Sequence, residues 1–153
     1  MFQPRLKFFA VFVGAAMATP VFAGDLPNGR YTIVASHSGK CVDVDNARTN
    51  DGANIQQYSC NGTNAQVFEL FDTGSGWYKI SNVISGKVID VAGRSKDIGA
   101  NIQLYSDNGT SAQRFSVQSV GNGEYIIVNQ ESAMCADVSG YSTADRANIW
   151  QWS

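Results

Sequence analysis

Three aspartates recur at one spacing and are the side chains best suited to chemistry. They lie 47 residues apart, at Asp43, Asp90 and Asp137. Each is followed fifteen residues later by an aromatic residue, namely Tyr58, Tyr105 and Trp152. A carboxylate beside an aromatic ring can hydrogen-bond a ligand's polar groups while the ring packs against its apolar face. The aspartates could instead cap turns through their own backbone while the aromatics pack at a rim, so both interpretations stay open.

The rest of the sequence lacks the convergent groups that an enzyme or a metal site needs. His37 is the only histidine, and we expect it in a surface loop between two strands. Asp43-x-Asp45 resembles the start of a calcium loop, but an EF-hand would have a glutamate where Asn54 stands. There is neither a G-x-S-x-G elbow nor a phosphate-binding glycine loop. We therefore predict no enzymatic activity, no metal and no cofactor.

An internal repeat determines how the aspartates are positioned. Residues 29–75 and 76–122 are identical at 22 of 47 aligned positions, and residues 123–153 match the first unit at 15 of 31. A fixed period indicates that each unit folds in the same way and packs against its neighbours. Each aspartate then belongs to a separate unit, whereas two carboxylates that hydrolyse a glycoside must lie within about 10 Å of each other.

Each unit has the pattern of four short strands. Tyr31 begins an alternation of apolar and polar residues, which is the period of a strand with one buried face. Val42 and Ile55 mark a second and a third strand, and a fourth is predicted to end at Phe68 and, in the second unit, at Phe115. Glycine-containing turn signals such as Ser-Gly-Lys and Asn-Gly separate these segments.

Three such units must close around a common axis, because a single unit cannot bury its apolar face. We predict an all-β fold, a β-trefoil of three 47-residue repeats, rather than a propeller, because propellers typically have four to eight blades. The sequence stops at Ser153, so the last strand of the third repeat is expected to be missing. We expect the neighbouring strands to present unpaired edges, with lower stability or dimerisation as the result.

The first 23 residues have the features of an export leader. Arg5 and Lys7 precede an apolar run, and the three residues ending at Ala23 resemble a signal-peptidase site. The run is too short for a membrane anchor. We expect a signal peptide over 1–23 and a secreted domain, extracellular or periplasmic, over 24–153. Loss of the two cations changes the formal net charge from −2 to −4, which argues against nucleic acid as a partner.

The recurring segments resemble the lobes of a ricin B-type lectin domain, also called carbohydrate-binding module family 13. The first unit has Cys-Val-Asp-Val at 41–44, Ala-Asn-Ile-Gln-Gln-Tyr at 53–58 and Ala-Gln-Val-Phe at 65–68. The second unit repeats these segments at 88–91, 100–105 and 112–115. Order, spacing and repetition agree with the family over nearly all of residues 24–153.

The resemblance implies a shallow sugar site in each lobe. There an aspartate accepts hydrogen bonds from sugar hydroxyls, each contributing roughly 1.5 to 3 kcal/mol, and a ring stacks under the pyranose. It pairs Asp43 with Tyr58, Asp90 with Tyr105 and Asp137 with Trp152, with amides from Gln56 and Gln103. Trp150 replaces that amide in the third lobe, so we expect a more apolar site there. Galactose-type sugars or a polysaccharide are the implied ligands.

The resemblance also separates residues of the fold from residues of the site. It assigns Gln66 and Gln113 mainly to the fold. It implies a disulfide between Cys41 and Cys60 and leaves Cys135, the third-lobe counterpart of Cys41, unpaired. The family often has a sugar-binding asparagine where alanine precedes each of these glutamines here, which leaves the preferred sugar open.

A second class of function fits the same fold. A protein-interaction β-trefoil could inhibit a protease or serve as an accessory subunit with a toxin or enzyme partner chain. An inhibitor uses one exposed loop and does not need an aspartate and an aromatic in every lobe. We therefore predict a secreted carbohydrate-binding lectin with up to three sites.

Overall fold

The computed structural model describes residues 5–8 and 26–153, which form β-strands and short 3-10 helices. Most of the predicted leader over 1–23 lies outside the described residues. The strands are β1 (Arg5–Phe8), β2 (Gly29–Ala35), β3 (Cys41–Val44), β4 (Ala53–Tyr58), β5 (Phe68–Asp72), β6 (Tyr78–Asn82), β7 (Val88–Val91), β8 (Ile102–Tyr105), β9 (Phe115–Gly121), β10 (Glu124–Asn129), β11 (Cys135–Val138) and β12 (Ile149–Trp152). The 3-10 helices are Asp45–Ala47, Asn64–Gln66, Ala92–Arg94, Ser111–Gln113 and Ser139–Tyr141.

The strand pairing repeats from lobe to lobe. In each lobe the second and third strands form an antiparallel hairpin, as β3–β4, β7–β8 and β11–β12 do. The fourth strand of one lobe lies between first strands, so β5 pairs with β2 and β6, and β9 pairs with β6 and β10. This arrangement confirms the predicted all-β, threefold β-trefoil.

The core is built from the same repeat positions in every lobe. Ile33 and Ile55 are buried together with their counterparts in the other lobes, and Tyr31 and Tyr78 are buried while Tyr125 is partly buried against the core. Phe68 and Phe115 are fully buried, but they begin the fourth strands, β5 and β9, and do not end them as the pattern predicted. The residues before each phenylalanine form a 3-10 helix, which the alternation pattern does not distinguish from a strand.

The expected open edges are closed by β1. This strand lies parallel to both neighbours, with Phe8 opposite Ala35 on β2 and opposite Tyr125 on β10. Phe8 is 1% exposed and belongs to the core. The edges of β2 and β10 are therefore paired in the described chain, by a strand from the segment predicted to be the leader. The expectation of unpaired edges concerned residues 24–153 alone and stays a prediction.

At two lobe boundaries, an ion pair and a serine hydrogen bond join the neighbouring lobes. Lys40 Nζ lies 2.6 Å from Asp145 Oδ1 in the third lobe, and the Ser59 hydroxyl donates to the same carboxylate at 2.9 Å. The next boundary repeats this arrangement with Lys87, Ser106 and Asp51. The third boundary has Met134, Ser153 and Ile98 at the corresponding positions. The hydrogen bond from lysine is the main cause that lowers the pKa of Asp145 and of Asp51.

Three asparagines join the lobes in a closed ring of hydrogen bonds. Asn54 Nδ2 donates to Asn148 Oδ1, Asn148 Nδ2 to Asn101 Oδ1 and Asn101 Nδ2 to Asn54 Oδ1, at 2.9, 2.9 and 3.0 Å. All three side chains are half-buried. Each amide is therefore a donor to one lobe and an acceptor from the other.

We expect Asn101→Ala to lower the free energy of unfolding by about 1 to 3 kcal/mol, because it leaves one donor and one acceptor without their partners. Urea denaturation of the variant beside the unchanged chain measures this loss. Asn50→Ala is the matched control, since the Asn50 side chain is exposed and hydrogen-bonds only its neighbour Asp51. Equal stabilities of the two variants would contradict a structural role for the ring.

Candidate functional site

The first-lobe site forms on the hairpin of β3 and β4. Asp43 and Gln56 are directly opposite each other across the strand pair, and Tyr58 is two residues further along β4. Gln56 Nε2 donates to Asp43 Oδ1 at 3.0 Å. All three side chains line one open pocket of about 270 Å³, whose wall is the 3-10 helix Asp45–Ala47. The structure thus brings together the three residues predicted for this lobe.

A second glutamine fixes the other oxygen of the same carboxylate. Gln66 Nε2 donates to Asp43 Oδ2 at 3.0 Å, while Gln66 Oε1 accepts the backbone N–H of Asn61 at 2.9 Å. Gln66 is 2% exposed and does not line the pocket. It belongs to the fold, as the resemblance implies, and it also orients the carboxylate of the site.

The second-lobe site repeats this geometry. Gln103 Nε2 and Gln113 Nε2 donate to the two oxygens of Asp90, each at 3.0 Å. Asp90, Gln103 and Tyr105 line a pocket of about 310 Å³. Arg94 stands at its wall, where the first lobe has an alanine, and pairs with Glu131 of the third lobe at 3.0 Å.

The third lobe differs in the groups that hold its aspartate. Trp150 Nε1 donates to Asp137 Oδ2 at 3.3 Å, so an indole N–H replaces the amide of the other lobes. The rings of Trp150 and Trp152 stack with centroids 4.9 Å apart. Within the described residues, no counterpart of Gln66 or Gln113 reaches Asp137. The stacked tryptophans give the third lobe a more aromatic surface, and the Asp137 carboxylate has two donors, the Trp150 indole and the backbone of Val138. The more apolar third site stays a prediction.

Burial raises the pKa of all three site aspartates. Asp43, Asp90 and Asp137 are only 5%, 5% and 8% exposed, and loss of hydration disfavours their charged forms. The hydrogen bonds from glutamine, or from Trp150 in the third lobe, oppose this shift. Asp43 and Asp90 are therefore buried carboxylates that line the first and second pockets, with hydrogen-bond donors already in place.

Neighbouring lobes contribute residues that the repeat pattern did not predict. Arg146 of the third lobe lines the first-lobe pocket, together with Asp45 and Asn46 of the wall. His37 lies in the turn between β2 and β3, as expected, but it is half-buried and not a surface residue. Its ring stacks on Tyr141 of the third lobe at 4.3 Å, and the ring hydrogen-bonds the Ser142 carbonyl. A repeat pattern describes one lobe at a time, so it carries no signal for contacts between lobes.

A disulfide bridge in the first lobe links the start of β3 to the segment that follows β4. Cys41 and Cys60 are bonded, with an S–S distance of 1.94 Å and Cα atoms 5.1 Å apart, which confirms the predicted bridge. Cys41 is directly opposite Tyr58 across β3 and β4, so the bridge lies beside the pocket. Cys135 is the free cysteine of the described chain, and burial together with Asp137 raises the pKa of its thiol.

The described residues offer little to other chemistries. Residues 5–8 and 26–153 contain no group of three or more His, Cys, Asp or Glu side chains that could hold a metal ion. In the same part of the chain, no helix is long and apolar enough to cross a membrane. Each of the two pockets contains one buried aspartate and amide donors. Such a site can bind polar, hydroxyl-bearing molecules by hydrogen bonds.

Comparisons with known proteins identify the family to which this fold belongs. The chain matches the family described as ricin-type beta-trefoil lectin domain-like over residues 21–105 and 68–152. It is similar to ThreeFoil, a designed 3-fold symmetric protein, with a TM-score of 0.78 and 42% identity over 82% of this chain and 88% of that chain. It is also similar to an exo-beta-1,3-galactanase from Clostridium thermocellum, with a TM-score of 0.77 and 34% identity over 86% of this chain and 28% of that chain.

A more distant similarity shows the fold alone. The Rhizoctonia solani agglutinin has a TM-score of 0.75 and 21% identity, covering 84% of this chain and 87% of that chain. No match was found among curated protein sequences. The assignment therefore depends on the family match and on the two structures that share more than 30% identity.

Proposed function

Since the chain belongs to the ricin-type β-trefoil lectin-like family, we propose that it is a secreted, non-enzymatic lectin that binds carbohydrate through its aspartate and aromatic side chains. The observation that carries this proposal is the repeated clamp, in which two glutamine amides hold the two oxygens of Asp43 and, one lobe later, of Asp90. A carboxylate held in this way presents its remaining lone pairs in fixed directions.

The clamp suits a pair of sugar hydroxyls. An ionised carboxylate offers about four lone-pair sites, and the glutamines use two of them. The remaining two can accept hydrogen bonds from neighbouring hydroxyl groups of one ring. Because Asp43 is almost fully buried and oriented beforehand, little freedom is lost when the sugar binds.

The aromatic residues complete the proposed sites. Tyr58 lines the first pocket and is half-buried, while Tyr105 lines the second and is 39% exposed. A ring placed beside a carboxylate offers an apolar face to the C–H groups of a pyranose. In the third lobe, the stacked Trp150 and Trp152 supply a larger aromatic surface beside Asp137.

We propose galactose-type sugars, or a polysaccharide that contains them, as ligands. The support is the similarity to part of an exo-beta-1,3-galactanase, which covers 86% of this chain. Single shallow sites bind weakly, so several lobes that engage one polymer would raise the overall affinity by avidity.

A glycan array tests both the function and the site assignment. We expect the unchanged chain to bind galactose-containing glycans and Asp43→Ala plus Asp90→Ala to lose most of that binding. Asp72→Ala is the matched control, because this exposed aspartate lies outside the pockets and should leave binding unchanged. Binding that survives the double change would remove these aspartates from the site. Absence of binding by the unchanged chain would favour a protein partner instead.

Acid should abolish sugar binding before it unfolds the protein. Burial raises the pKa of Asp43 and Asp90 above the ordinary value of 3.8. As the pH falls, these two carboxylates therefore become protonated, and lose acceptor sites for the sugar, while the pH is still above 3.8. The pKa of Asp51 and Asp145 is lowered, and the stability from their ionised forms is lost only as the pH falls below 3.8. Isothermal titration with galactose and circular dichroism across this range should give two separate midpoints.

We also propose that residues 1–23 direct export of the chain. The basis is the sequence of this segment, with its two cations, apolar run and small residue at position 23. Expression in a bacterial host followed by N-terminal sequencing of the exported protein should give a chain that begins at Gly24. Retention of the intact chain in the cytoplasm would contradict this proposal.

A further inference from the structure

One repeat position in each lobe faces the site of the next lobe. Gly52, Gly99 and Arg146 occupy it, and their backbone N–H groups donate to carbonyls on β8, β12 and β4, at 2.8, 2.9 and 2.8 Å respectively. A Cβ atom on Gly52 would lie 3.9 Å from Gln103 Oε1, and one on Gly99 would lie 3.6 Å from the Trp150 ring. Any side chain at this position therefore begins beside the neighbouring site.

The third lobe has an arginine at this position, where the other two lobes have glycine. Arg146 has a φ of 68°, in the left-handed region in which its glycine counterparts have a φ of 82°. Residues with a Cβ atom rarely adopt this conformation, and strain of this kind is concentrated at functional sites. The Arg146 side chain lines the first-lobe pocket together with Asp43 and Tyr58. The first site thus receives a cation from its neighbouring lobe, whereas a glycine faces each of the other two sites.

The guanidinium of Arg146 is available to a ligand. Among the described residues it makes no side-chain hydrogen bond and no ion pair, and the residue is exposed. Two nearby carboxylates already have other cations: Asp45 Oδ2 lies 3.7 Å from Arg48 Nη1, and the adjacent Asp145 lies 2.6 Å from Lys40 Nζ. Arg146 therefore keeps all its side-chain donors for a group from outside the protein.

The second-lobe pocket has an arginine of a different origin. Arg94 belongs to the wall of its own lobe, at the repeat position of Ala47, and its Nη2 donates to Glu131 Oε2 at 3.0 Å. The residue that corresponds to Arg146 for this pocket is Gly52, which has no side chain. The two pockets therefore share the aspartate clamp, but the arginine of the first is unpaired and that of the second is paired.

We propose that the first-lobe pocket binds an acidic galactose-type sugar, and that Arg146 recognises the carboxylate or sulfate group of this sugar. A planar guanidinium can donate two parallel hydrogen bonds to such an anion. The anion lies on the third-lobe side of the sugar ring, from which Arg146 enters, while Asp43 accepts hydrogen bonds from the ring hydroxyls. The inference rests on the proposed lectin function and adds the class of sugar for one of its sites.

The test compares neutral and acidic sugars at the first site alone. The full chain carries Asp90→Ala plus Asp137→Ala, which leaves the first site as the one predicted site with its aspartate. Isothermal titration measures the affinity for methyl galactoside, methyl galacturonide, galactose 3-sulfate and galactose 6-sulfate. The last three probes separate a carboxylate from a sulfate and one position of the anion from another. Each titration is run in low and in high salt.

We expect at least one acidic sugar to bind roughly tenfold more tightly than methyl galactoside in low salt. This preference should shrink in high salt, because Arg146 is exposed and salt screens its charge. Arg146→Gly should remove the preference. The variant should fold, since glycine is the residue of the other two lobes and adopts a positive φ without strain. Arg146→Lys keeps the charge but not the planar donor pair, so it should retain only part of the preference.

Arg30→Ala is the matched control, because it removes the same charge from an exposed position on β2, outside both pockets. The preference for the acidic sugar should persist in this variant. An equal loss in Arg30→Ala, a preference that survives Arg146→Gly, or no preference at all would overturn the inference. In each of these cases, binding of methyl galactoside would leave the lectin function standing. If none of the four sugars bound, the lectin function would fail, and this inference with it.

Discussion

Removal of the disulfide should lower the free energy of unfolding by about 3 kcal/mol. Cys41 and Cys60 are 19 residues apart, and a bridge that closes a loop of this size restricts the unfolded chain by about that amount. The variant Cys41→Val plus Cys60→Ser should show this loss in urea denaturation, with a fall in Tm on the order of 10 °C. Valine is the choice for position 41 because the second lobe has the buried Val88 there.

Two controls separate the bridge from the cysteines themselves. A reducing agent should destabilise the unchanged chain by the same amount and leave the double variant unaffected. Cys135→Ser removes the free thiol and should change stability by less than about 1 kcal/mol. A double variant as stable as the unchanged chain would show that the hairpin does not depend on the bridge.

The second lobe shows how the same hairpin is held without a disulfide. Asp107 stands at the position of Cys60, and its carboxylate lies 3.0 Å from Lys79 Nζ and 3.7 Å from Arg114. These contacts are surface ion pairs, which contribute less than a covalent bridge. Reduction of the bridge should therefore loosen the first-lobe pocket while the second-lobe pocket keeps its shape.

The sequence was sufficient to predict the fold because the same physical constraint appears three times. Ile33 and its counterparts mark buried strand positions in each copy, and an apolar face that no single lobe can bury requires the three to pack together. The proximity of each aspartate to its predicted partners also follows from the sequence, since the glutamine lies directly across the hairpin and the tyrosine two residues further along the same strand.

Contacts that cross lobe boundaries could not be predicted in the same way. The stacking of His37 on Tyr141 and the entry of Arg146 into the first pocket depend on how the lobes pack, which no spacing within a lobe encodes. The insertion of Phe8 into the barrel was hidden for another reason. The cations and apolar residues of its segment also fit an export leader, and a short strand has no further signal to separate the two roles.

Truncation of a phenylalanine that begins a fourth strand is expected to be the most destabilising single change in the core. Phe68 is fully buried between β2 and β6, so Phe68→Ala removes a large side chain and leaves a cavity. Such changes typically lower the free energy of unfolding by about 3 to 5 kcal/mol. Phe115→Ala should cost a similar amount, because Phe115 has the equivalent position in the next lobe.

Phe71 provides the matched control on the same strand. It is 51% exposed, and its ring lies 5.3 Å below Lys79 Nζ, so Phe71→Ala should cost at most about 1 kcal/mol. Urea denaturation of the three variants compares these losses directly. If Phe68→Ala and Phe71→Ala were equally stable, the fold would not depend on these buried phenylalanines. If only Phe115→Ala were mild, the equivalence of the lobes would not extend to their energetics.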